Sequence, residues 1–122
     1  MYVHGVLENS DGSIWVGSRL GMGGFIGGKT NQSFSNAEIG EVRATMEDSS
    51  HRVWFGTDAK GLFYWEDGKL NKFTNTDLTG SIRALCMDRD NHLWVGTSLG
   101  LRCYDRNFQR IYPLEIIYEI QA

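Results

Sequence analysis

The sequence predicts an all-β chain assembled from three equivalent units. Three observations carry this: a phrase repeated at nearly even spacing, strand-length apolar segments between turn-forming clusters, and no 3.6-residue apolar period in any window of a dozen residues. The phrases are Ile14-Trp15-Val16-Gly17-Ser18, Val53-Trp54-Phe55-Gly56-Thr57 and Leu93-Trp94-Val95-Gly96-Thr97. Their tryptophans lie 39 and 40 residues apart, close to the ~40–45-residue period of a four-stranded propeller blade.

Each unit reads as four short strands in order. The first strands are Val3–Glu8, Val42–Glu47 and Ile82–Met87, and each runs into a turn cluster: Asn9-Ser10-Asp11-Gly12, Asp48-Ser49-Ser50-His51 and Asp88-Arg89-Asp90-Asn91. Asn, Asp, Ser and Gly there close a hairpin onto the tryptophan strand. Beyond it come Gly21-Met22, Gly61-Leu62 and Gly100-Leu101, each followed by an aromatic at Phe25, Trp65 or Tyr104. A last aromatic, Phe34, Phe73 or Tyr112, ends each unit. Val, Ile, Trp, Tyr and Phe suit a pleated, half-buried surface, and the one proline, Pro113, falls between units. The boundaries are blades at about 3–34, 42–73 and 82–112 within a single partial domain, 1–122, with 114–120 as an extra strand.

A net charge of −3 and a pI near 5.5, with dispersed basic residues, argue against nucleic acid as partner, because such proteins carry a basic stripe. No run of 18 apolar residues suggests a membrane span, and no basic-then-apolar N-terminus suggests a signal peptide. The expectation is a soluble chain with room for one modest core. Cys86 and Cys103 fall in the first and third strands of the third unit, which are not neighbours, so both are expected to be buried free thiols.

The order of strand, Asp-rich turn, apolar-Trp-apolar-Gly-Thr/Ser, Gly-Leu and aromatic resembles the two-component regulator propeller repeat. The third unit, with Leu93-Trp94-Val95-Gly96-Thr97 and Leu99-Gly100-Leu101, is closest to the family's wording, and the second, Val42 to Phe73, is nearly as close. The first departs from it at Gly23-Gly24-Phe25-Ile26-Gly27-Gly28, which replaces the usual third strand. The resemblance covers about 110 residues. It implies a sensor region of a bacterial hybrid histidine kinase, lying outside the cytoplasm in the periplasm. It further implies recognition of a ligand, often a carbohydrate fragment, that biases a dimer.

Physics accounts for the repeated residues. Trp15, Trp54 and Trp94 are large apolar wedges between adjacent sheets. Gly17, Gly56 and Gly96 leave room for close approach or a bulge. Gly23 to Thr30 satisfies the nucleotide-binding pattern GxxxxGK[ST], but Asn31-Gln32-Ser33-Phe34 are poor helix formers and Gly28-Lys29 aligns with the hairpin Gly68-Lys69. Phosphate binding needs a following helix. Asp88, Asp90 and His92 start like a calcium loop that has no distal glutamate, so no metal and no cofactor is expected. Of the histidines, His51 and His92 are turn residues without a nucleophile partner in sequence. No catalytic set is expected and the chain reads as non-enzymatic.

His4, Arg43 and Arg83 are counterparts, each beside the first apolar residue of a first strand. If that strand is innermost, three cationic groups converge at a channel rim and suit an anionic sugar or a carboxylate. The opposing reading is surface pairing with Glu41, Glu47 or Asp48. A ring needs about four to eight blades, so three leave it incomplete. Either further blades of a longer chain or self-association, two chains giving six blades or three giving nine, would close it. The expected function is a non-catalytic sensing module. One alternative is a propeller enzyme like streptogramin lyase, marked by a His and a Glu from different blades set off from the repeat. The other is a purely structural oligomerising fragment.

Overall fold

The computed structural model describes residues 3–74 and 78–111. The first sheet is β1 (Val3–Glu8), β2 (Ile14–Ser18), β3 (Gly21–Ile26) and β4 (Lys29–Ser35); after a helical turn, α1 (Asn36–Ile39), the second is β5 (Val42–Glu47), β6 (Val53–Thr57), β7 (Leu62–Glu66) and β8 (Lys69–Lys72). The third is β9 (Ile82–Met87), β10 (Leu93–Thr97) and β11 (Gly100–Tyr104). Every sheet is an antiparallel meander in chain order. The first strands pack together, β1 on β5 and β5 on β9, so they are innermost. The fold is a run of propeller blades.

The turn chemistry explains the meander. Asp48 Oδ1 accepts the amides of Ser50 (2.8 Å) and Arg52 (3.0 Å), and its Oδ2 accepts Trp54 Nε1 at 2.7 Å. Asp88 repeats the set with Asp90, His92 and Trp94 Nε1. One carboxylate thus closes the hairpin and orients the wedge. The first blade has Asn9 there, and an amide nitrogen cannot accept. Trp15 Nε1 goes instead to Ser13 Oγ, whose proton goes to Asp11 Oδ1. The hydroxyl ending each phrase holds the next turn: Thr57 and Thr97 donate to Gly61 and Gly100 carbonyls, and Ser18 accepts from Leu20 N.

The cores lie between sheets. Trp15, Met22 and Ile39 meet Val42, Val53, Phe55 and Phe63, and Trp54, Leu62 and Phe73 meet Ile82, Leu93, Val95 and Tyr104. Alternation along β6 sends Trp54 toward the third sheet and Phe55 toward the first. Each fully buried large side chain contributes about 1.5–3 kcal/mol. The phrase glycine is where the next blade's first residue seats. A Cβ on Gly17 would lie 2.7 Å from Val42 Cγ1, and one on Gly56 would lie 2.2 Å from Ile82 Cγ2.

The hairpin reading of Gly23 to Thr30 holds, and several other expectations need adjusting. The glycine-rich first unit forms a complete blade, because Gly24 lies flat beneath the Trp15 ring, where an added Cβ would meet ring atoms at 3.1 Å. The GxxxxGK[ST] match is the β3–β4 hairpin, turning at Gly27 and Gly28, both with positive φ. The third sheet has three strands among the described residues, with one bridge, Tyr104 to Arg110, where a fourth strand was expected. Tyr112 and the extra strand at 114–120 lie outside the described residues. The single-turn α1, closed by a Ser35–Glu38 capping box, is too short to leave an apolar period in the sequence. Cys103 is buried, with its thiol pushed up to about 11 by burial, but Cys86 is exposed, because no further blade covers its face of β9 among the described residues.

Both ends of the run are open among the described residues. Ile14 and Val16 are half-buried where their counterparts Val53, Phe55, Leu93 and Val95 are buried. Trp94 is half-buried, whereas Trp15 and Trp54 are 3% and 0% exposed. Val6, on the innermost strand of the first sheet, is 66% exposed.

Candidate functional site

The three cationic counterparts share a backbone device. Val3 pairs with Ser18 and Gly5 with Gly17, leaving His4 as an extra residue. Arg43 is extra between the pairs Val42–Thr57 and Ala44–Gly56, and Arg83 between Ile82–Thr97 and Ala84–Gly96. Each is a β-bulge at the start of an innermost strand, and a bulge re-aims its side chain and tightens the local twist.

Glu41 joins His4 to Arg43, and Asp58 holds Arg43 within the field of Arg83. His4 Nε2 lies 2.6 Å from Glu41 Oε2, and Arg43 Nη2 lies 3.5 Å from the same oxygen. Arg43 Nε donates to Asp58 Oδ1 at 2.8 Å, and Ser81 Oγ donates to that oxygen at 2.8 Å. The Ser81 hydroxyl, then the Arg43 bond and charge, with Arg83 adding to the field, hold the Asp58 carboxyl below its ordinary value. Arg83 is exposed and makes no hydrogen bond to a described carboxylate. The row runs His4, Glu41, Arg43, Asp58, Arg83. It alternates basic and acidic groups and ends on Arg83, which is exposed.

The sequence pointed to Glu41 but missed Asp58. Asp58 stands 15 residues beyond Arg43, just past β6, and only the β5–β6 pairing returns it to the bulge; its amide donates to the Glu41 carbonyl at 2.9 Å. Of the other acids weighed, Glu47 and Asp48 sit at the opposite end of β5. Glu47 bonds Ser10 and His51, and Asp48 pairs with Arg52.

Two further clusters have a structural role. The ligand-type atoms of Asp88, Asp90 and His92 lie within 4.8 Å of one another, but both Asp88 oxygens are already taken by the hairpin amides and the Trp94 indole. Ser10, Glu47 and His51 meet between the first two blades: Ser10 Oγ donates to Glu47 Oε2 at 2.6 Å and lies 3.0 Å from His51 Nδ1, itself 3.0 Å from Glu47 Oε2. Serine and carboxylate share one imidazole nitrogen, so the proton relay of a triad, which uses both nitrogens, is not set up. The enzyme alternative needs a His and a Glu from different blades outside the repeat. His4 and Glu41 do meet, but His4 belongs to the bulge row and Glu41 also holds Arg43.

Acid sensitivity follows from these turns. Hydrogen bonds, from the Ser13 side chain to Asp11, from Ser81 to Asp58 and from the Trp94 indole to Asp88, hold three carboxyls below their ordinary values. For Glu47 burial opposes the shift, and the bonds from Ser10 and His51 outweigh it. A depressed folded pKa contributes stability above the unfolded value that is lost as pH falls through the folded one. Thermal unfolding is therefore expected to be steady near neutrality and to fall progressively below about pH 4.5; a flat Tm from pH 5 to pH 3 would contradict these networks.

Residues 77–98, which span β9, its turn and β10, match the family model described as "Two component regulator propeller". That stretch is similar to the two component regulator propeller repeat. Three solved structures share the fold of this chain. The extracellular domain of the hybrid two component system BT3049 from B. thetaiotaomicron is similar with a TM-score of 0.78 and 22% identity, over 92% of this chain and 16% of that one. PorZ, a surface component of the type-IX secretion system of Porphyromonas gingivalis, is similar at 0.59 and 15%, over 93% and 21%. The extracellular domain of the hybrid system BT4673 from B. thetaiotaomicron gives 0.50 and 21%, over 92% and 22%. The chain thus spans less than a quarter of each of these proteins. No curated protein matches the sequence.

Proposed function

We propose that this chain is a non-catalytic recognition segment of a sensor propeller in a hybrid two-component protein, working outside the cytoplasm, in the periplasm or at the cell surface. The observation that carries the reading is the bulge row, in which one backbone device presents His4, Arg43 and Arg83 at the same place on three innermost strands. The regulator-propeller repeat and the fold shared with extracellular domains of hybrid systems support the setting. The open ends support closure by further blades of a longer chain, or by copies of this one.

The rim's ligand is an anionic group of carbohydrate type, such as a uronate or a sulfated sugar. Its acid group pairs with Arg83 and draws Arg43 from Asp58, since a guanidinium offers a forked pair of donors to an oxyanion. Titration of the 122-residue chain with a sulfated disaccharide by calorimetry tests this. Arg83→Ala is expected to weaken binding roughly tenfold without lowering Tm. Equal affinity in the wild type and Arg83→Ala would reject the rim as the site.

A further inference from the structure

The two junctions between blades are built alike, and the third blade offers the same seat uncovered among the described residues. At each junction the first residue of an innermost strand sits on the phrase glycine of the blade before it, Val42 on Gly17 and Ile82 on Gly56. Thr45 touches the same patch, 3.2 Å from a Cβ built on Gly17 and 3.3 Å from one on Gly5. On the third blade a Cβ on Gly96 meets nothing nearer than Ala84. Ala84 pairs with Gly96 as Ala44 pairs with Gly56, yet Ala84 and Cys86 are exposed where Ala44 is buried.

The matching insert stands at the other end of this chain. Val3 pairs with Ser18 as Val42 does with Thr57 and Ile82 with Thr97, and Val6 is the counterpart of Thr45. Val42 and Ile82 are 0% exposed, whereas Val3 is 49% and Val6 66% exposed. Charge matches as well. At the first junction Ser10, in its hairpin turn, donates its amide and its hydroxyl to Glu47 of the next blade at 3.0 Å and 2.6 Å. Arg89 holds the Ser10 position on the third blade, and Glu8 holds the Glu47 position on the first. Both are exposed, and neither forms an ion pair with a described residue. One end therefore carries a glycine-floored seat with a cation beside it, and the other an aliphatic plug with a carboxylate beside it.

We propose that the third blade of one chain docks on the first blade of a second copy, with Val3 and Val6 of that copy on Gly96 and Ala84 and its Glu8 paired with Arg89. The contact joins two different faces, so copies add head to tail until the ring closes. Two copies give six blades, within the usual range of closed propellers, and three give nine, outside it. The expected assembly is a dimer with two identical junctions. This inference rests on the reading that the open ends are closed by further blades, and it is independent of the rim's ligand.

The test is the light-scattering mass of the 122-residue chain after size exclusion, over a series of protein concentrations. A dimer that forms as concentration rises is expected. Val6→Asp changes a side chain that lies on the surface of a single chain. It is expected to weaken assembly roughly a hundredfold and to leave the Tm of the dilute protein unchanged. Gly96→Ala, which has room within one chain, crowds Val3 of the second copy and is expected to weaken assembly too. Glu8→Arg and Arg89→Glu each set like charges against one another and are expected to weaken it roughly tenfold. An equimolar mixture of those two variants restores opposite charges at both junctions and is expected to assemble as the wild type does. A dimer joined through one face used twice would not respond in this way. The proposal is overturned by a monomer at every concentration, by wild-type assembly of Val6→Asp, or by a mixture no tighter than its components. A monomer that still binds the sulfated disaccharide through Arg83 would reject the junction and leave the rim standing; a dimer that does not bind it would do the reverse.

Discussion

Replacing Asp48 by alanine is expected to destabilise the protein by about 3–5 kcal/mol, lowering Tm by roughly 10–20 °C. Its side chain is fully buried, and its two oxygens accept the Ser50 and Arg52 amides, the Trp54 indole and the Arg52 guanidinium. Removal strands all four donors, and a buried charge left without its partner is the costliest deletion of this kind. Asp88→Ala is expected to lose less, because that carboxylate is 32% exposed and water takes over part of its work. Asp48→Asn keeps acceptors for the amides but turns an N–H toward the Trp54 indole, so it should fall between. The first blade already shows the remedy. Asp48→Asn combined with Ser50→Asp and Arg52→Ser rebuilds the Asn9, Asp11, Ser13 arrangement and is expected to recover part of the loss. Thermal unfolding of the four variants checks this order; an alanine variant as stable as the wild type would refute the clamp.

Gly56→Ala is expected to destabilise by about 1–3 kcal/mol, although its backbone is extended and needs no glycine. The added methyl would stand 2.2 Å from Ile82 Cγ2 and 2.8 Å from Ile82 Cβ, in a core with no slack. The same change at Gly96 meets nothing nearer than the Ala84 Cβ at 3.4 Å and is expected to be within about 0.5 kcal/mol of neutral. One residue type in one motif thus gives two outcomes, decided by whether a following blade is seated on it. Denaturant midpoints of the two variants measure this directly; equal losses would mean that glycine acts through the strand itself and not through the neighbouring blade.

Much of the fold was legible because each blade repeats its chemistry locally. Tryptophan phrase, Asp turn and closing hydroxyl act within a dozen residues of one another, so spacing alone revealed them. The rim was half legible. The repeat aligned His4, Arg43 and Arg83, and Glu41 stood nearby, but Asp58 depends on strand pairing, and the bulges that aim all three side chains leave no trace in residue type.

By itself, then, the sequence determined the unit: antiparallel strands, their order, the hairpin residues and the wedge, since all of these rest on short-range periodicity and turn geometry. The tertiary structure decided what lies between units. It set which face of β6 meets which neighbour, which carboxylate reaches which arginine, and why Cys86 is exposed while Cys103 is buried. The physical reason is that contacts between blades join residues about 40 positions apart, where nothing local constrains them and only the packing of one sheet on the next brings them together.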